Sequence, residues 1–127
     1  MTIKKRNDEE HHEQVKVCKY LDLLMNKWHN FKYFAVPNGG KRNIITAKKL
    51  KSEGVKAGVP DMFILPTDIR HKGLAIEMKK IKGGVVSKNQ KEWIYFLVVS
   101  GWDCEVCNGF EEAKIVIDRY FNFINYF

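Results

Sequence analysis

Glu77 and Lys79 stand two residues apart in the run GLAIEMK (73–79), which otherwise has the composition of a core strand. Alternate side chains of a strand share a face. Leu74, Ile76 and Met78 therefore lie on one side, and Ala75, Glu77 and Lys79 on the other, with the acid and the base roughly 7 Å apart along the chain. Asp61 follows Pro60 at the start of the preceding apolar run. If the two strands pair as a hairpin, Asp61 approaches Glu77 at the same end of the sheet. Two carboxylates beside a lysine suit phosphodiester hydrolysis. Hard oxygen ligands hold Mg²⁺, and a bound metal ion polarises a phosphate and lowers the pKa of a water. A nearby lysine orients that water or stabilises the developing negative charge. An isolated E-x-K on a strand is more often a buried ion pair between the lysine and an acid; Asp61 supplies the second carboxylate that a metal site needs.

The elements around these residues read as one α/β domain spanning residues 1–127. Asn7 or Asp8 can cap a helix running to about Trp28, with Val17, Cys18, Leu21, Leu24, Met25 and Trp28 on one helical stripe. Extended backwards, the stripe reaches Gln14 and Glu10, with Glu13 at its edge. Tyr33 to Val36 reads as a short strand ended by the turn Pro37-Asn38-Gly39-Gly40. Thr46 can cap a short basic helix closed by Gly54. Asp61 to Leu65 and Gly73 to Lys79 are strands, with a loop from Pro66 to Lys72. Ser87 can cap a helix ending near Gly101. Cys104 to Cys107 forms a further core strand, and a last helix starts near Glu111.

Composition narrows the partners. The chain has 127 residues, 45% hydrophobic and 29% charged, as expected of a folded globular protein. A net charge of +7 favours a polyanionic partner, because each neutralised phosphate releases a counterion. The N-terminal run MTIKKRNDEEHHEQ lacks the apolar stretch of a secretion signal, and no segment has the length of a transmembrane helix. Cys18, Cys104 and Cys107 are an odd set without such a signal. The expectation is a cytoplasmic protein with reduced thiols and no membrane partner. Cys104 and Cys107 form a CxxC on a strand, where positions three apart face opposite sides, so a zinc site is not expected. His11 and His12 fall in the first turn of the first helix and read as exposed rather than as ligands, an active-site role beside Glu10 being the alternative, while His29 and His71 carry no motif.

The order Pro60-Asp61, then Glu77-Met78-Lys79 on the next strand, resembles the PD-(D/E)xK nuclease signature. With EGVKAGVPD (53–61), PNGGKR (37–42) and SKNQ (87–90) in order, the chain more specifically resembles the VRR-NUC family. The match extends from Glu10 to about Gly109. It implies a restriction-endonuclease-like fold, with a mixed central sheet flanked by helices. It also implies that Asp61 and Glu77 bind metal, Mg²⁺ or Mn²⁺, with the backbone carbonyl of Met78 completing part of the shell. Lys79 would assist the attacking water, and Gln90 would support the site from the following helix. Glu10, with Glu13 as the fallback, would join the metal network from the first helix. Gln90 has a second reading, since Ser87-x-x-Gln90 is also a capping box.

Gly39 and Gly40 allow a tight turn or close backbone approach to a ligand. With Asn38, Lys41, Arg42, Lys49 and Lys56, they read as contacts that position DNA without reading sequence; a solvated basic surface is the alternative. Lys48, Lys51, Lys80 and Lys82 are similar candidates. The expected function is a metal-dependent endonuclease acting on branched or duplex DNA, in its narrowest form a homodimeric Holliday-junction resolvase. A flap or other branched-DNA nuclease is the alternative, beside a nonspecific single-strand nuclease and a non-catalytic DNA-binding module. The apolar tail KIVIDRYFNFINYF (114–127) should partly cover the sheet, the remainder being either an oligomer interface or buried.

Overall fold

The computed structural model describes residues 8–28, 31–37, 44–66 and 71–123. The elements are α1 (Asp8–Trp28), β1 (Phe31–Ala35), α2 (Ile44–Ser52), β2 (Met62–Pro66), β3 (Leu74–Lys79), α3 (Lys88–Val99), β4 (Asp103–Asn108) and α4 (Phe110–Phe123). The sheet order is β1-β2-β3-β4. β1 and β2 pair antiparallel, as do β2 and β3, whereas β3 and β4 run parallel. The sheet is therefore mixed, and α3 supplies the crossover that a parallel pair requires.

α1 begins with Asp8, Glu9 and Glu10 and has Lys27 in its last turn, which suits the helix dipole. Its stripe buries Val17, Leu21 and Leu24. These pack with Ala113, Ile117, Tyr120 and Phe121 of α4 against Met62, Ile64, Leu74, Ile76 and Met78 of the sheet. Fully burying each large apolar side chain stabilises the fold by about 1.5–3 kcal/mol. The tail thus covers the sheet through Ile117, Tyr120 and Phe121, while Ile115 is exposed and residues 124–127 lie outside the described residues. β3 is buried along its whole length. One face lies under α1 and α4, and α3 reaches the other.

Several element boundaries differ from those expected. β1 starts at Phe31 rather than Tyr33, because Phe31 pairs with Pro66 and packs its ring on Phe121. Thr46 lies within α2 instead of capping it. Gly54, at φ +98°, does end the turn after α2, with the Val55 amide donating to the Leu50 carbonyl.

Candidate active site

The start of β2, the C-terminal end of β3 and the first turn of α3 meet at one place. Pro60 leads into Asp61, whose carbonyl accepts the Val36 amide at 2.8 Å and so continues the β1–β2 ladder. The register pairs Met62 with Ile76, which sets Asp61 across from Glu77 one residue further on. Asp61 Oδ2 accepts the backbone N–H of Met78 at 2.7 Å. Asp61, Glu77 and Lys79 are 6%, 4% and 8% exposed, in contrast to the solvated setting usual for such groups.

Gln90 ties the remaining groups together. Its Nε2 donates to Glu77 Oε2 at 3.0 Å, and its Oε1 accepts from Lys79 Nζ at 2.9 Å. The same Oε1 accepts the Ser87 amide at 2.9 Å, and Ser87 Oγ accepts the Gln90 amide at 3.1 Å. Gln90 therefore completes the capping box and also contacts Glu77 and Lys79. A carboxamide oxygen has two lone pairs, one for the helix cap and one for the lysine, and its nitrogen is left for the glutamate. Lys79 Nζ also lies 3.5 Å from Glu77 Oε2.

The helix start is held in place by a glycine. Gly58 has φ +90°, and a Cβ there would come within 2.7 Å of the Asn89 backbone. The loop before Pro60 can press against the first turn of α3 only because position 58 has no side chain.

Glu77 carries the clearest electrostatic signature. Burial, then the charge of Asp61, push its carboxyl up to about 8, against the pull of Lys79. Two carboxylates facing each other in a buried site resist joint ionisation. A cation relieves that conflict, and the pair supplies the hard oxygens that Mg²⁺ or Mn²⁺ prefers. Among the described residues, no group of three or more His, Cys, Asp or Glu side chains is arranged to hold a metal. The residues present thus fit an ion held by two carboxylates, with backbone, water or phosphate oxygens completing its shell.

On α1, the buried glutamate is Glu13, while Glu10 is half-buried. Glu13 Oε1 accepts the Phe110 amide at 3.0 Å, and Oε2 pairs with Lys16 at 2.7 Å. Both contacts hold its carboxyl below the usual range. Glu13 thus caps the start of α4, beside Gly109, whose amide donates to the Lys79 carbonyl at 3.0 Å. Glu10 is not brought into a three-ligand cluster with Asp61 and Glu77.

The model of the VRR-NUC domain family matches residues 5–111, most of the chain and all of the site. The chain belongs to the VRR-NUC family. A solved structure described as a VRR_NUC domain protein is 33% identical, with a TM-score of 0.57 over 71% of this chain and 67% of that one. No curated protein matches. VRR-NUC membership implies a nuclease-type, DNA-processing function.

The candidate site brings together Asp61, Glu77, Lys79 and Gln90, with the Met78 backbone beside them. Lys49 and Lys56 are exposed, as phosphate contacts must be. Asn38, Gly39, Gly40, Lys41 and Arg42 lie outside the described residues, as does His29. Cys104 and Cys107 stand three apart on β4, and burial raises their thiols to about 11 and about 12. His11 and His12 are exposed. No described helix is long and apolar enough to cross a membrane. Sequence reasoning did not assign roles to Gly58, to Glu13 as a helix cap, or to Glu9, whose Oε1 accepts the Ile81 amide at 2.9 Å. Gly58 had a signal, its place in EGVKAGVPD; the two glutamates had none, because their partners lie 72 and 97 residues away.

Proposed function

We propose that this chain is a Mg²⁺- or Mn²⁺-dependent DNA endonuclease, and in its narrower form a homodimeric Holliday-junction resolvase. The observation that carries the reading is the buried Asp61–Glu77 pair with Lys79 fixed beside it by Gln90. A divalent ion bound there would polarise the scissile phosphate and acidify an attacking water. Asp61 and Glu77 would hold that ion, Asp61 being fixed in turn by the Met78 amide. Lys79, nearly excluded from solvent, presents its ammonium to the attacking water or to the charge that develops on phosphorus-bound oxygen. Gln90 holds both Glu77 and Lys79 in position, so the acid and the base do not need to reorganise during the reaction. Glu10 is proposed to reach the metal network through water.

A four-way junction needs two matched cuts, which a two-fold dimer delivers from two identical sites. The outer face of α3 supports a dimer: Tyr95 and Phe96 are 63% and 62% exposed, beside exposed Val98 and Val99. Lys88 and Lys91 lie at the positive end of the α3 dipole, and no basic residue lies in its last turn. An antiparallel second copy would bring each basic end to the other's negative end.

The deciding experiment is cleavage of end-labelled four-way junction, flap, duplex and single-stranded DNA with Mg²⁺ or Mn²⁺, comparing wild type with Asp61→Asn. Paired symmetric nicks in the junction, lost in the variant, support the resolvase. Cutting of flaps or single strands alone keeps the nuclease and removes the resolvase. No variant-sensitive cutting of any substrate leaves a binding module. A solution mass of one chain at working concentration removes the dimer.

A further inference from the structure

The sheet face that carries Asp61 and Glu77 continues past them onto an open aromatic surface. Phe34 pairs with Phe63, and Phe63 with Ala75, so Phe34, Phe63, Asp61 and Glu77 all lie on one face. Phe34 and Phe63 are stacked, with ring planes 9° apart and centroids 5.4 Å apart. Phe63 meets Trp102 edge-on at 5.5 Å, which backs the row from the β4 side. Phe63 is half-buried by these contacts, but Phe34, on the edge strand, is 49% exposed. Phe34 is the diagonal neighbour of Asp61, a relation that spans about 7–8 Å and lies within reach of an aromatic ring. Lys32, two residues away on the same face, is exposed.

An exposed phenyl ring on an edge strand is a liability unless something covers it. Here it lies in line with a phosphate-cutting site and next to a cation. We infer that Phe34 is a stacking platform for an unpaired base of the DNA strand held at Asp61 and Glu77, with Lys32 contacting the adjoining phosphate. A base in a duplex is already stacked on its neighbours, so only an unpaired or splayed nucleotide can use the ring. Stacking on an aromatic side chain is tolerant of sequence. The site therefore favours flapped or branched DNA over blunt duplex. This inference rests on the nuclease reading.

The probe is a DNA flap with 2-aminopurine as its first unpaired nucleotide, with Ca²⁺ in place of Mg²⁺ to suppress cutting. Wild type and Phe34→Trp quench the fluorophore, whereas Phe34→Ala and Phe34→Leu do not. The Leu variant keeps the apolar surface over Phe63, so a folded, unquenched Phe34→Leu separates stacking from stability. Affinity of that variant for the flap falls about 5- to 100-fold, with less than a two-fold change for blunt duplex. Full quenching by Phe34→Leu, or an equal loss on both DNAs, overturns the platform. The Asp61→Asn cleavage assay is scored separately: wild-type cutting with unaltered Phe34→Leu quenching discards the platform alone, and absence of wild-type cutting discards the nuclease.

Discussion

Asp61 and Glu77 face each other across β2 and β3, one residue beyond the Met62–Ile76 pair, and Asp61 is fastened to the backbone of the residue that follows Glu77. An antiparallel ladder holds opposed residues at a fixed separation whatever their charge. The fold thus pins two acids together where neither can turn to solvent, and the resulting repulsion is what a cation would relieve.

Burial of Glu77, reinforced by that repulsion, makes stability depend on pH in a particular sense. A carboxyl at its ordinary value of 4.5 loses its proton in the unfolded chain well before folded Glu77, held up to about 8, releases its own. Between those values the native state binds more protons, so stability falls as pH rises. In EDTA, thermal unfolding of wild type is expected to shift downward from pH 5 to pH 8, and Glu77→Gln to lose most of that slope. A parallel slope in both proteins would show that Glu77 is not the group responsible.

Gln90 serves the helix cap and the site with one carboxamide, and the two roles separate by measurement. Gln90→Ala is expected to cost about 1 kcal/mol from the cap, and to lower kcat about 10- to 100-fold by freeing Lys79 and Glu77. Urea denaturation reads the first and single-turnover cleavage the second. Ser87→Ala, which removes only the cap hydroxyl, should show the stability loss with a much smaller kinetic effect.

Glu10 and Glu13 on α1 should behave oppositely. Glu13→Ala leaves the Phe110 amide without its acceptor and is expected to cost about 1–3 kcal/mol. Glu10→Ala should leave the denaturation midpoint nearly unchanged while weakening Mn²⁺ binding in calorimetry. Equal stability losses with no change in Mn²⁺ affinity would remove Glu10 from the metal network.

Gly58→Ala tests the contact between the loop and α3. A methyl group would meet the Asn89 backbone at 2.7 Å from a positive-φ position. Displacing the first turn of α3 moves Gln90, so activity should drop by more than ten-fold along with a stability loss of about 2 kcal/mol. An active, fully stable variant would mean that the contact is dispensable.

The juxtaposition of Asp61, Glu77 and Lys79 was legible because strand periodicity is local: an alternating pattern fixes which side chains share a face. The capping box at Ser87 was legible for the same reason, since its partners lie three residues apart. Element boundaries drifted by a residue or two where long-range partners decided them, as with Phe31 against Phe121. The stripe on α1 pointed to Glu10, yet Glu13 is the buried acid, because what buries it is the β4–α4 turn about 97 positions away.

The sequence by itself determined the order of the elements, the family and which of Asp61, Glu77 and Lys79 share a sheet face. Only the tertiary structure decided that one amide oxygen of Gln90 serves both the Ser87 cap and Lys79, that Glu13 is committed to α4, and that Phe34 lies on the same face as Asp61. Each of these depends on pairing register and helix docking, which are set by the collective packing of residues far apart in the chain, whereas periodicity and capping are written within a few neighbouring residues.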